Sequence, residues 1–284
     1  MASELRETIP TFGESGKEEN DVGLTNMSAL TSANVAKSWG EVGLIILVAV
    51  IVVGSLEFVC RVFDVPTYTF PRPSLIATTL WHNFRPLYAH HLWVTIKVLT
   101  IGYLIGGSIG ILLAAVITQF PFVEKIITPY ILLLVMTPMI ALVPLLVQKM
   151  GFGLSPRIIA VALAVGPMVM INASTGFRRT DLAKIALARS YGASTFQIFA
   201  KVRFPLALPM IIVGLMVGAI FGMLTAVGAE FIASSEGLGT RLAFFSSRIK
   251  MADFWAVIVI LATMGILIYV FFFWVGKKWA SWQS

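Results

Sequence analysis

The chain has 284 residues, of which 58% are apolar and only 12% charged, and its mean hydropathy is +0.89. A soluble domain carries roughly 25% charge, so this composition excludes an ordinary water-soluble protein and points to one folded in lipid. The net charge of +7 comes from basic residues flanking apolar segments; it therefore reads as a determinant of membrane topology and not as a nucleic-acid stripe.

A membrane span needs roughly 20 mostly apolar residues, which leaves room for about six spans in an all-α membrane protein. Residues 1–40 mix Glu4, Glu7, Glu14, Glu18, Glu19 and Asp21 with Ser, Thr, Asn and Gly. Such a segment buries too little apolar surface to order itself, and it lacks the basic n-region of a signal peptide. It is expected to be a flexible cytoplasmic tail. The first span is expected at 41–61 and contains Cys60. As the sole cysteine, Cys60 excludes an intrachain disulfide and a cysteine-cluster metal site, and it reads as a small apolar filler.

The outer segment 62–91 is broken by Pro66, Pro71, Pro73 and Pro86. A short helix starting at Pro73 is expected there, with Leu75, Ile76, Leu80 and Trp81 on one side, lying in the interface plane. A core then extends over 92–277. Its first helix, Leu92 to Thr118, carries Gly102, Gly106 and Gly110 at intervals of four, the small-residue spacing that lets helix backbones approach in membranes. The next span, Ile126 to Val147, has no charge but holds Pro129, Pro138 and Pro144. Each proline leaves a carbonyl without its helical partner, so this span is expected to face protein or a water-filled path. The fourth span, Ile158 to Phe177, contains Asn172, read either as interhelical glue or as a lining residue of the path.

The stretch 178–205 interrupts this apolar pattern with Arg178, Arg179, Lys184, Arg189, Lys201 and Arg203 against Asp181. The positive-inside rule makes it cytoplasmic, and parity puts both termini on the same side. Ile185, Leu187 and Ala188 precede Gly192, and Phe196, Ile198, Phe199 and Val202 follow at helical spacing. Two short helices joined at Gly192 fit this pattern. Helices so short are marginal alone in water, so the hairpin is expected to rest on something, with Phe196 and Phe199 offered to a partner's groove.

A fifth span from Leu206 to Ala229 contains Met223 and ends at Glu230. That carboxylate either gates the path, orients the following EGLG segment or meets cargo, or else lies in headgroups or water as a helix-end charge. A sixth span, Phe254 to Gly276, is followed by the closing segment 278–284. Pro138, Pro144, Asn172, Met223 and Glu230 are thus the residues assigned to a translocation path or gate.

The stretch 178–205 resembles the cytoplasmic signature of inner-membrane permease subunits of ATP-binding-cassette importers. That signature is Glu-Ala-Ala, three residues, Gly, about nine residues, an aliphatic, one residue, Leu-Pro. Gly192, Val202 and Pro205 fall on its glycine, aliphatic and proline. Ala186, Leu187 and Ala188 occupy the Glu-Ala-Ala positions, and Phe204 stands for the leucine. FPRPS at 70–74, TPMIALVPLLVQKMGFG at 137–153, INASTGFR at 171–178 and GAEFIASSEGLG at 228–239 extend the resemblance to the branch handling nitrate, sulfonates, taurine, riboflavin and thiamine-related pyrimidines.

The resemblance implies a type I importer permease in a bacterial inner membrane, with 62–91 periplasmic. It implies a second permease copy, two ATPase subunits carrying ATP and Mg, and a periplasmic or lipid-anchored solute-binding protein. Coupling to the ATPase would fall to Ala186, Ala188, Arg189, Gly192 and Ala193, and to Phe196, Phe199, Lys201 and Pro205 beyond the turn. The chain itself lacks GxxxxGK followed by Ser or Thr, the phosphate-cradling loop; GESGKE from Gly13 is too short and has Glu18 at the hydroxyl position. It is therefore expected to be no enzyme and to bind no cofactor. His82, His90 and His91 lack metal-ligand spacing. The competing expectation, a secondary transporter driven by an ion gradient, calls for a mid-span charge and an internal repeat, and neither is visible.

Overall fold

The computed structural model describes residues 39–279, with side chains from residue 43. Residues 1–38 of the expected tail and 280–284 of the closing segment lie outside the described residues. All regular elements among the described residues are helical. The chain divides after Val59 into two units. The described part of the first is most of α1 (Trp39–Val62), whose unbroken run of Leu, Ile and Val is exposed all round, as suits a helix surrounded by hydrocarbon.

The second unit opens with α2 (Pro73–Asn83), where Pro73 occupies the first turn without loss of a helical bond. Ile76 and Leu80 pack into a cluster with Tyr88, Val257 and Ile260. Leu75 and Trp81, expected on the same side, are exposed. Nor is α2 a separate helix. A π-helical turn, Phe84–Tyr88, carries it past Pro86 into α3 (Ala89–Gln119), giving one helical run of 47 residues. The wider turn accommodates a residue that has no N–H to donate.

The expected third span is two helices, α4 (Pro121–Met136) and α5 (Met139–Met150), bent by 96°. Pro138 explains the break. Its ring disfavours helical geometry at the preceding residue, and Thr137 takes up extended angles, φ −78° and ψ 123°. Among the described residues, five helices are long and apolar enough to cross a membrane, and six spans result if the bent pair counts as one.

The spine consists of α6 (Leu154–Arg178), packed by α3 on one side and by α9 (Phe204–Ala233) on the other. The three spaced glycines all meet α6. A Cβ on Gly102 would stand 2.7 Å from Val161 Cβ, on Gly106 2.5 Å from the Ala162 carbonyl oxygen, and on Gly110 2.5 Å from that of Gly166. Val98, Leu99, Val161, Val165, Val169 and Ala226 form the central cluster. Next to Glu230 the chain turns into α10 (Leu238–Ser247), and α11 (Met251–Trp279) completes the unit.

Candidate functional site

At one end of α6 lies the cationic hairpin. Asp181 caps α7 (Leu182–Ser190), its carboxylate accepting the Ala183 N–H at 2.9 Å. The helix ends in a two-bond closure: the Ala193 N–H donates to Ala188 O at 3.1 Å and the Gly192 N–H to Arg189 O at 2.9 Å. Gly192 has φ +76°, the left-handed conformation that this closure requires and that glycine adopts without steric cost. Ser194 then starts the next helix through a capping box with Gln197. The spacing S-T-F-Q at 194–197 carries that box in the sequence.

The segment after the turn is not a second short helix. α8 (Thr195–Ile198) passes through a π-helical turn, Phe199–Arg203, into α9, so the hairpin's second arm is the end of a 39-residue helical run. Pro205 sits in the first turn of α9 and supplies no N–H to the preceding turn, which accounts for the irregular winding there.

The hairpin has a buried side and an open side. Ile185 and Ile198 are buried at 6% and 5% exposure, whereas Leu187, Tyr191 and Phe196 are exposed at 58%, 84% and 78%. Ala186, Arg189, Gly192 and Lys201 are also exposed, and Ala188 and Ala193 are half-buried. Phe199 departs from the expectation: it is half-buried and its ring lies 5.1 Å from that of Phe177, so it anchors the hairpin to α6. Tyr191 and Leu187 take its place on the open side. Arg178, at the base, pairs with Glu124 of α4.

Along the spine, a recess of about 230 Å³ opens between α4, α5, α6 and α9. Pro138 lines it beside Thr137, Ile140, Pro167, Phe221 and Thr225. The other residues assigned to the path stand elsewhere. Pro144 is exposed on α5. Asn172 donates to Met168 O of its own helix at 2.8 Å, and its Cβ would meet one placed on Gly214 at 2.7 Å. Met223 packs against the central cluster and approaches Gly265.

Glu230, at the far end of α9, is fully buried and reaches neither the recess nor water. Its Oε2 accepts the Thr95 hydroxyl at 2.8 Å and the Gly239 N–H at 3.1 Å. Its Oε1 lies 3.9 Å from Arg157 Nη1, and Arg157 itself is 5% exposed. Thr95 in turn accepts the Leu238 N–H at 2.9 Å, while the Gly237 N–H donates to His91 Nδ1 at 3.0 Å. Arg157 also donates to Gly153 O and Glu236 O. Thr95 and Arg157 carry no role in the sequence reading, and His91 enters it only as a rejected metal ligand, although His91 and Thr95 stand four apart and so share a helical face.

The comparisons with known proteins agree with this architecture. Residues 106–281, more than half of the chain, match the family described as binding-protein-dependent transport system inner membrane component. A probable ABC transporter permease protein of Haemophilus influenzae is 27% identical over 213 residues, 75% of this chain and 86% of that protein. The putative aliphatic sulfonates transport permease of Escherichia coli is 31% identical over 219 residues, 76% of this chain and 83% of its own. The formylaminopyrimidine transport permease of Halalkalibacterium halodurans is 27% identical over 216 residues, 74% and 84% respectively. Among solved structures, an amino acid ABC transporter superposes with a TM-score of 0.60 at 17% identity, covering 70% of this chain and 96% of that one. Its fold, that of the type I importer permeases, is the fold described above. The chain therefore belongs to the binding-protein-dependent transport system inner membrane components, and it is a transmembrane permease subunit of an ATP-binding-cassette importer.

Proposed function

We propose that the α7–α8 hairpin is the handle by which a separate ATPase subunit drives this permease. The observation that carries the reading is its two-sidedness: Ile185, Ile198 and Phe199 fix it to the bundle while Leu187, Tyr191 and Phe196 stay open. Three large side chains exposed together on one short cationic turn form the kind of patch that marks a protein-binding surface. Six cations in 178–205 against Asp181 put the hairpin on the cytoplasmic side of a bacterial inner membrane, with both termini there and 62–91 outside. Two permease copies would pair with two ATPases holding ATP and Mg, and a periplasmic or lipid-anchored binding protein would deliver the cargo.

The recess offers the Thr137 and Thr225 hydroxyls amid apolar walls and no charged side chain. A fixed-charge site for nitrate or a sulfonate would place a cation there. The lining suits an uncharged pyrimidine or flavin-type solute, with selection performed by the binding protein.

The test is reconstitution of the full chain with its ATPase and binding protein in liposomes, with uptake of labelled pyrimidine, riboflavin and taurine compared. Uptake that needs ATP and favours the pyrimidine or riboflavin is expected. Uptake sustained by an ion gradient without ATP would overturn the importer reading, and preference for taurine would overturn the cargo assignment alone.

A further inference from the structure

The cluster around Glu230 joins four parts of the chain that are far apart in sequence. Glu230 ends α9, Thr95 and His91 begin α3, Arg157 begins α6, and Gly237, Leu238 and Gly239 lead into α10. Four backbone groups of the turn bond to the helices around it. Three consecutive N–H groups, those of Gly237, Leu238 and Gly239, are received by His91, Thr95 and Glu230, and the Glu236 carbonyl accepts from Arg157. Thr240 adds a bond from its hydroxyl to Glu230 O at 3.0 Å.

Steric fit is as specific as the bonding. A Cβ on Gly237 would lie 2.2 Å from Glu230 Cδ, and one on Gly239 would lie 2.1 Å from Val227 O and 2.8 Å from Glu230 Cβ. The EGLG segment is therefore wrapped around the carboxylate with no room for a side chain at either glycine. A carboxyl group enclosed in this way depends on its partners to offset the loss of water: Oε2 is bonded to Thr95 and Gly239, while Oε1 has no hydrogen bond and faces Arg157 at 3.9 Å.

We infer that Glu230 is a positioning residue of the transport cycle, clamping the 234–239 turn across the ends of α3 and α6. The turn and α10 then move with the spine as one body. Ser235 and Glu236, exposed on the outer surface of this turn, are held by the clamp in a defined place, so a protein docking on that end pushes on α3, α6 and α9 together. Without the clamp the turn yields, and docking is no longer transmitted. This role differs from a gate or a cargo contact, because the carboxylate is closed off from both water and the recess.

The experiment compares the full permease–ATPase complex carrying Glu230→Ala, Glu230→Gln or Thr95→Val with the unmodified complex. Hydrogen exchange of the peptide covering 234–242 reads the clamp directly. We expect exchange roughly tenfold faster in Glu230→Ala, with the α6 core unchanged. Glu230→Gln keeps an acceptor for Thr95 and Gly239 and is expected between Glu230→Ala and the unmodified complex, and Thr95→Val close to Glu230→Ala. ATPase stimulation by the loaded binding protein is expected to fall roughly tenfold while the basal rate stays within about twofold.

Unchanged exchange at 234–242 overturns the clamp. Fast exchange with full stimulation overturns its role in transport, and loss of the assembled complex in all three variants makes Glu230 a folding element only. The stimulation readout rests on the binding-protein partnership proposed above, whereas the exchange readout does not. If the unmodified complex shows no stimulation, that partnership fails while the clamp is still judged by exchange.

Discussion

The contact between α3 and α6 makes a quantitative test of what holds the spine together. Placing a Cβ on Gly106 sets it 2.5 Å from Ala162 O and 2.9 Å from Ala162 Cα. Both are backbone atoms of a packed helix, so no side chain can swing aside and the helices must separate. Overpacking of this kind costs ~1–3 kcal/mol, against which alanine gains about 0.5–1 kcal/mol over glycine as a helix former. Gly106→Ala is thus expected to destabilise the unit by ~1–2 kcal/mol. Gly107 is the internal control. It is buried on the same helix, but a Cβ there meets Leu215 Cδ2 at 3.6 Å, an ordinary contact. Only the helix-former term operates, and Gly107→Ala should be neutral or more stable by up to about 1 kcal/mol. Thermal unfolding of the two variants side by side in one detergent checks the difference. If Gly106→Ala proves as stable as Gly107→Ala, the backbone approach does not carry the packing and the argument fails.

The hairpin supports two further expectations. Phe196→Ala should leave thermal stability unchanged and weaken co-purification of the ATPase, whereas Phe199→Ala should lower stability by ~1–3 kcal/mol, less than for a fully buried phenylalanine, because Phe199 is half-buried and packs on Phe177 while Phe196 is exposed; equal effects on stability would refute the two-sided hairpin. Gly192→Pro forces φ near −65° where the native value is +76° and removes the N–H that donates to Arg189 O; we expect normal membrane insertion with the ATPase lost in a pull-down, and retention of both binding and uptake would count against the hairpin as the point of coupling.

What could be read in the sequence was read through local rules. Gly102, Gly106 and Gly110 declared a helix face by spacing alone, because the period of the helix fixes which residues stack. Gly192 declared a turn, because a left-handed residue between two helical patterns is nearly always glycine. The bend after α4 was half legible. Pro138 marked the place, but a proline in a long apolar run signals a kink as readily as a break, and only the extended Thr137 distinguishes the 96° result. The continuity of α2 with α3 was hidden for the opposite reason: Pro86 reads as a stop, yet a π-helical turn absorbs it. Phe199 misled because helical spacing gives a face without saying which face the bundle occupies, and that depended on Phe177 of another helix.

The polar clamp shows where sequence reasoning must stop and what replaces it. Glu230 could be seen at the end of an apolar run, but its burial depends on Thr95 and Arg157, residues remote in the chain. Locally only the two glycines of EGLG hinted that something lay beneath them. Once the partners are known, a physical relation between the two polar ends of the unit follows. α6 begins with Arg157 in the clamp and ends with Arg178 at the hairpin, while α9 begins at the hairpin and ends with Glu230 in the clamp. At 1.5 Å per residue, α9 spans ~45 Å. Those two helices also pack closely, with Gly214, Gly218 and Gly222 of α9 all within 3.0 Å of α6 side chains if given a Cβ. A pair of helices packed along its length, tied by the clamp at one end and by the Phe177–Phe199 ring contact at the other, resists bending, so a displacement applied at the hairpin arrives at the clamp as rotation or translation of the whole pair. Rigidity of the spine and fixation of the 234–239 turn are then two requirements of one device, and weakening either should disconnect the same two ends.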